Sequence, residues 1–335
     1  MHRFFPTLPM SRRRSLMALA LAAASVAPGL ASAQAYPQRA IKLVVPFAPG
    51  GSTDIVARLV AEKMRTSLGQ AVVVENKAGA GGMVGAEAVA KAAPDGYTIG
   101  VGTVSTLTVN PLLLKASRVD PLKDFTPITT LASIPSVISL SPSFPGKSFA
   151  EFQAEVRRKP DFYTAGSPGI GSIGHLIIEA MNEDMKIDIR HVPYRGMGPA
   201  ITSALSGETQ ILSDQYPSSA AHIKAGKLLP VAVAAGKRLA DLPQVPTLKE
   251  LGYADLNDLA ITWFGLVAPP GLPADIQKKL HAAALEALKD PGLLSRLKDM
   301  GVEPVGNTAE EFRQLMAQGL ARNQRIIQSR RITAE

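Results

Sequence analysis

Three short loops carry the residues most able to do chemistry. They are Gly50-Gly51-Ser52-Thr53-Asp54, Gly79-Ala80-Gly81-Gly82, and the stretch AGSPGIGSIGH from Ala165 to His175. Each follows a strand-like apolar run and precedes a helix-like one. The first turn of a helix has backbone N–H groups without intrahelical partners, and they carry the positive end of the helix dipole. Glycine has no Cβ to keep an anion from that backbone. Such a turn holds a carboxylate or phosphate without Lys or Arg. Any one of these loops could be an ordinary tight turn with Ser52 or Thr53 as its N-cap; three of them point to a shared cleft.

Other chemistries fit less well. GIGSIG, at Gly169, Gly171 and Gly174, satisfies G-x-G-x-x-G, the phosphate turn of dinucleotide-binding folds. The next strand, IRHVPY, ends without an acid for a ribose, although Arg195 could face a 2′-phosphate. AGSPG around Ser167 is a degraded nucleophile elbow, with Ala165 in place of the first glycine. Pro168 has no N–H for an oxyanion hole. His175, eight residues on, is better read as a capping or packing histidine. An exported enzyme, nicotinamide-dependent or a serine hydrolase, is therefore the alternative reading. The five histidines show no metal-ligand spacing and cysteine is absent, so no metal, disulfide or cofactor is expected. Asp214, at a strand end, could accept from a ligand hydroxyl or amine, or cap the following helix. Tyr194 and Arg195 end the preceding strand.

The elements that must position these loops alternate. IKLVVPF, AVVVEN and YTIGVGT read as strands separated by helices, with Ile55, Val56, Leu59, Val60 and Leu68 at helical spacing in the first. The alternation restarts at SVISLSP and runs to LPVAVAA. ITWFGLVAPPG is a further strand, and helices over 273–289 and 308–330 close the chain. Strand–helix alternation predicts two α/β units with mainly parallel sheets, over about 36–136 and 137–258. Ligands in open parallel sheets sit beyond the carboxyl ends of the strands, where all three loops lie.

The 335 residues are 46% hydrophobic with a net charge of +8, enough chain for two cores. The N-terminus contributes much of that charge. Arg3, Arg12, Arg13 and Arg14 precede a short Ala-rich apolar run ending Ala31-Ser32-Ala33. This is the pattern of a secretory signal cleaved after Ala33, and SRRRSL also fits a twin-arginine signal. Removal of residues 1–33 leaves 32 basic residues against 28 acidic ones. No basic, aromatic-studded patch remains, so nucleic acid is not an expected partner.

Several segments, in order, resemble the receptors of tripartite tricarboxylate transporters, the Bug-type family: YPQRAIKLVVPFAPGGSTDIVAR, VVVENKAGAGGMVGAEAVAKAAPDGYT, GSPGIGSIGHL, VPYRGMGPA, HIKAGKLLPVAV, PTLKELGY and WFGLVAPPGLP. The resemblance covers essentially the whole chain after the signal. It implies a two-lobed, Venus-flytrap periplasmic binding protein of type II topology. Lobe 1 would be 34–136 plus 259–335, and lobe 2 would be 137–258. It implies a monomer in the periplasm that captures a small carboxylate for transporter membrane subunits and transforms nothing. Carried over residue by residue, the ligand-binding positions are Pro49, Gly50, Ser52, Thr53, Asp54, Ala80, Gly81, Ser167, Gly169, Gly171 and Ser172, with Tyr194 and Asp214 as weaker transfers. Many relatives have an aromatic residue before the aspartate, where this chain has Ser213; the ligand's far end is therefore open.

Overall fold

In the computed structural model, residues 1–2, 36–114 and 119–333 are described. The expected signal segment lies outside them. Of the unit Met1–Gln38, only the two ends are described; everything below concerns the unit Arg39–Glu335.

The first sheet grows from the first apolar run. Strand β1 (Ile41–Val45) buries all but Lys42, and helix α1 (Ser52–Leu68) lays Val56, Val60, Met64 and Leu68 inward. Gly69, at φ 65°, ends the helix in the left-handed conformation that glycine adopts without strain. Strand β2 (Val72–Asn76) and helix α2 (Met83–Ala90) follow. Strand β3 (Thr98–Thr103) leads into a π-turn, Ser105–Val109, and a short helix α3 (Asn110–Leu113). Strand β4 (Thr126–Ile134) then crosses to the second sheet, becoming β5 (Ser136–Leu140) after the single residue Pro135.

The second sheet repeats the alternation: α4 (Phe149–Arg158), β6 (Thr164–Ser167), α5 (Ile173–Met185), β7 (Arg190–Pro193), α6 (Met197–Ser206), β8 (Ile211–Gln215), α7 (Tyr216–Lys224) and β9 (Leu229–Ala234). After α8 (Ala254–Ala260) the chain crosses back as β10 (Thr262–Ala268). Helices α9 (Ala274–Lys289) and α10 (Pro291–Asp299), the two-residue strand β11 (Glu303–Pro304) and helix α11 (Ala309–Ser329) complete the chain. Helices α9 and α11 pack on α1, β4 and the π-turn, so the C-terminal elements return to the first sheet.

The strand orders are β11-β4-β10-β3-β1-β2 and β7-β6-β8-β5-β9. The expectation of mainly parallel sheets needs correction, because both are mixed. β1, β2 and β3 are parallel, as are β6, β7 and β8, but β10 runs antiparallel to β3 and β4, and β5 antiparallel to β8 and β9. β5 and β10, which run against their neighbours, are the strands that enter from the other sheet; the two-residue β11 also pairs antiparallel with β4. A strand that leaves one sheet to enter another arrives without the helical crossover that keeps neighbours parallel.

Two ties hold the crossings together. The Ser136 hydroxyl donates to the Ala260 carbonyl at 2.6 Å, and Gln215 Nε2 donates to Thr262 Oγ1 at 2.8 Å. Helix α11 opens with a capping box between Thr308 and Glu311. It presses fully buried Phe312 onto the bare backbone of Gly265 in β10 and edge-on to Trp263, with ring centroids 5.3 Å apart. Phe312→Ala should therefore lower unfolding stability by about 3–5 kcal/mol in a urea titration, the range for a buried aromatic truncation. A loss below about 1 kcal/mol would show that α11 is not pinned there.

Candidate functional site

The loop after β1 is held by a polar knot. Asp54 accepts from the Gly50 amide at 3.1 Å, from Arg58 Nε at 3.0 Å and from Asn76 Nδ2 at 2.9 Å; Asn76 Nδ2 also donates to the Phe47 carbonyl. Burial alone would raise the Asp54 pKa, but these donors outweigh it and hold the carboxyl below its ordinary value. Asp54 thus shapes the turn and keeps its charge on Arg58, Asn76 and Gly50.

Helix α1 starts without a cap. Gly51 offers no side chain, and Ser52 turns its hydroxyl away from its own helix. It reaches α7 instead. Ser52 Oγ accepts from the Ser218 amide at 3.0 Å and donates to the Gln215 carbonyl at 3.0 Å, with the Ser218 hydroxyl 2.8 Å away. One serine thereby caps a helix of the other sheet. The first turn of α1, with Gly51, Ser52 and Thr53, lines a cavity of about 30 Å³, closed down to the space of a water molecule.

The opposite wall is the start of α5, with Pro168, Ile173 and Gly174, together with Met197 and the end of β8. Ser172 caps α5 through the His175 amide, and the Ile173 amide donates across the cleft to Ser105 Oγ at 2.9 Å. Phe47, Phe264 and Ile177 supply apolar surface; Thr103, Ser105, Ser136 and Ser213 supply hydroxyl-bearing positions. Asp214 is the only ionisable residue among the described lining residues. Its carboxylate accepts from Ser218 Oγ at 2.6 Å and from Ser219 Oγ. Burial pushes it up to about 7, partly offset by those hydroxyls and the Gln215 amide.

The residues expected from sequence divide into three groups: those lining the cavity, those at a seam beside it, and those bracing the loops. Ser52, Thr53 and Asp214 line the cavity. Gly81, Gly169, Gly171 and Pro49 instead lie at a seam beside it, where the two halves meet, and Ala80 precedes Gly81 in the same loop. A Cβ at Gly81 would run into the Ile170 carbonyl, and one at Gly169 would touch Gly81 at 3.5 Å. A Cβ at Gly171 would strike the buried side chain of Asn110, which donates to the Gly81 carbonyl at 2.7 Å. Further along, a Cβ at Gly198 would sit 2.6 Å from the Pro49 carbonyl. Gly81 (φ 60°) and Gly171 (φ 75°) also need the left-handed region. The glycines that looked like room for an anion are, in this geometry, room for the facing half. Gly50 and Ser172 hold the two loops in shape, and Tyr194 spends its hydroxyl on Ser203 at 2.5 Å.

Ser167 is fully buried and touches His191 Nε2 at 2.5 Å. His175, the histidine nearer in sequence, stacks on His191 with ring centroids 4.2 Å apart. Burial lowers His175 to about 4; burial and then the charge of His175 lower His191 to about 3. The pair is therefore neutral at ordinary pH. Sequence reasoning missed Phe47, Thr103, Ser105, Met197, Gln215 and Phe264. Thr103 ends a strand and was open to the same rule as the glycine loops; Phe264 and Ser105 carried no local signal.

Two mixed α/β sheets joined by two crossing segments, with helix starts from both facing one cavity, define a two-lobed periplasmic solute-binding protein. The chain belongs to the tripartite tricarboxylate transporter receptor family, whose model matches residues 56–332. BugT of Bordetella pertussis is 33% identical over 314 residues, covering 93% of this chain and 95% of that one. The solved periplasmic binding protein BugD is 34% identical with a TM-score of 0.86, covering 89% and 99%. MatC from Rhodopseudomonas palustris, solved with bound malate, is 34% identical with a TM-score of 0.83, covering 87% and 100%. The chain is accordingly a binding receptor and not an enzyme, and the hydrolase and nicotinamide readings fall away.

Two outcomes follow from this geometry. Gly81→Ala should hinder closure, seen as a radius of gyration above wild type in small-angle scattering at saturating ligand; an unchanged radius would remove the seam from the closing motion. For Asp214, a carboxyl raised in the folded state is fully favourable below its unfolded pKa of about 3.8 and loses stability as pH rises toward 7. Wild type should therefore lose up to roughly 1.4 kcal/mol per pH unit relative to Asp214→Asn between pH 4.5 and 6.5. Parallel stability curves for the two proteins would refute the shift.

Proposed function

We propose that the cavity captures a small carboxylate and presents it, enclosed between the lobes, to the membrane subunits of a tripartite transporter. The carrying observation is the uncapped start of α1, whose first residues line a cavity with no Lys, Arg or His among its described lining residues. A carboxylate supplies the missing acceptor. Ser52, Thr53 and the Gly174 end of α5 are the contacts nearest it; Thr103, Ser105 and Asp214 meet the rest of the molecule. Charge-assisted hydrogen bonds contribute about 1.5–3 kcal/mol each, and a helix start roughly 0.3–2 kcal/mol. Three or four donors thus reach the ~8 kcal/mol of a micromolar complex. The malate bound by MatC supports the class of ligand.

In this reading Gly50, Asp54 and Ser172 shape the loops, Ser167 and Tyr194 brace the loop of the second half from within it, and Pro49, Ala80, Gly81, Gly169 and Gly171 form the seam that permits closure. The lobes are 34–136 plus 259–335 and 137–258, the protein acts as a periplasmic monomer after loss of residues 1–33, and nucleic acid has no part. A thermal-shift panel of mono-, di- and tricarboxylates on protein freed of carried ligand should give stabilisation by at least one acid. Ser52→Ala should weaken that acid about tenfold or more, through loss of the cross-lobe cap. Absence of stabilisation by every acid would sink the reading.

A further inference from the structure

The π-turn Ser105–Val109 touches three things at once. Ser105 lines the cavity, and its Oγ accepts from the Ile173 amide of the facing half at 2.9 Å. Thr108 meets helix α11. A π-turn is rare in general and recurs at functional sites.

This one is held from both sides. On the strand side the Thr103 amide donates to Thr106 Oγ1 at 3.0 Å, and the Thr106 amide to Thr103 Oγ1 at 3.2 Å. On the other side stands α11. Asn323, fully buried, donates from Nδ2 to the Thr108 carbonyl at 3.1 Å and to the Thr108 hydroxyl at 3.0 Å. That hydroxyl donates onward to the Val104 carbonyl at 2.8 Å. The chain of bonds therefore runs from α11 to the residue next to Ser105. Asn323 Oδ1 has no partner among the described residues, so the fold carries an unpaired buried oxygen to keep this donor in place.

Gly319 is a second, separate sign. Glycine inside a helix weakens it, yet Gly319 lies within α11, buried on the same side as Asn323. A Cβ there would come 2.8 Å from Thr108 Cγ2. Residues four apart share a helix face, so the two form a notch. Gly319 leaves room for the Thr108 methyl, and Asn323 binds its hydroxyl and carbonyl.

We propose that Gly319 and Asn323 are positioning residues of the binding site: their notch on α11 fixes the π-turn and so holds Ser105 at the cavity and against α5. Neither residue lines the cavity; both act through Thr108. The inference rests on the carboxylate reading for what the placed serine is used for, and not for its placement.

Hydrogen exchange at the Ile173 amide, followed by NMR on the ligand-free protein, reads that placement. Ser105→Ala removes the acceptor and sets the ceiling. Asn323→Ala and Gly319→Ala should each speed the exchange about fivefold, the size of one net hydrogen bond. The Val233 amide of β9, which donates to the Pro246 carbonyl at 3.0 Å, should keep its wild-type rate. Adding Asn323→Ala to Ser105→Ala should give no further gain, because one acts through the other. Thr108→Ser removes the methyl that a Cβ at position 319 would meet and keeps the hydroxyl, so it should restore the wild-type rate to Gly319→Ala. Calorimetry with acetate, succinate and citrate as probes reads the use of the serine. An acid that wild type binds should bind about fivefold more weakly to either single variant and recover when Thr108→Ser is added to Gly319→Ala. Failure of all three acids to bind wild type counts against the carboxylate reading, and the exchange rates still decide this one. Ile173 exchange that stays at the wild-type rate in both single variants, rises together with Val233, or is not restored by Thr108→Ser would overturn the proposal, as would an acid affinity that neither variant moves.

Discussion

Everything in this receptor depends on how closely two backbones can approach across the cleft. At Gly81 and Gly198 the facing half's backbone comes to where a Cβ would stand, and at Gly171 the Asn110 side chain does. Interiors are packed at crystal density, so such contacts are all-or-none: a methyl group in the seam is not absorbed by a small adjustment. Across the same cleft Ser52 accepts from the Ser218 amide of α7 and Ser105 accepts from the Ile173 amide of α5. Contact between the halves thus supplies acceptors to helix starts whose amides have no partner within the helix. Helix α1 starts at the cavity with no side-chain cap, as does α6, whose first residue Met197 also lines it.

The polar residues around the cavity divide their labour in a way their types alone do not show. Asp54 and Asp214 are both buried carboxylates near the cleft, yet their environments push them in opposite directions. Asp54 has a guanidinium, an amide side chain and a backbone N–H, and stays ionised; Asp214 has serine hydroxyls and a backbone amide and rises to about 7. One is a fixed part of the loop, the other is the one titratable side chain among the described residues lining the cavity. Ser167 and His191 look like the beginning of a catalytic pair, but the serine is buried, Pro168 follows it, and the imidazole is stacked and neutral. Their contact fixes the loop: the Gly169 amide donates to the same Ser167 hydroxyl at 3.1 Å.

Much of this was legible in the chain. The periodicity of α1 and the terminal helices matched their observed spans within a residue or two, because apolar spacing is a local property. The meeting of the glycine loops was also legible, since strand ends in α/β units converge. What each glycine is for was not: Gly81 is explained by the Ile170 carbonyl, 89 residues further along the chain, and no local pattern encodes that neighbour. The antiparallel entries of β5 and β10 were hidden for the same reason, since a crossing strand carries the same apolar run as any buried strand. Ser52 shows the limit most clearly. Its type and position read as the cap of its own helix, and it caps another.

The passage from β4 to β5 has only Pro135 between the two sheets. Its ring locks one torsion, and its carbonyl is occupied by the Tyr216 amide. With the second crossing tied alongside through Ser136, little freedom is left except a concerted twist of the paired strands. A molecule jointed in this way behaves as a single-axis mechanism, so one ruler across its mouth would register the position of the whole machine.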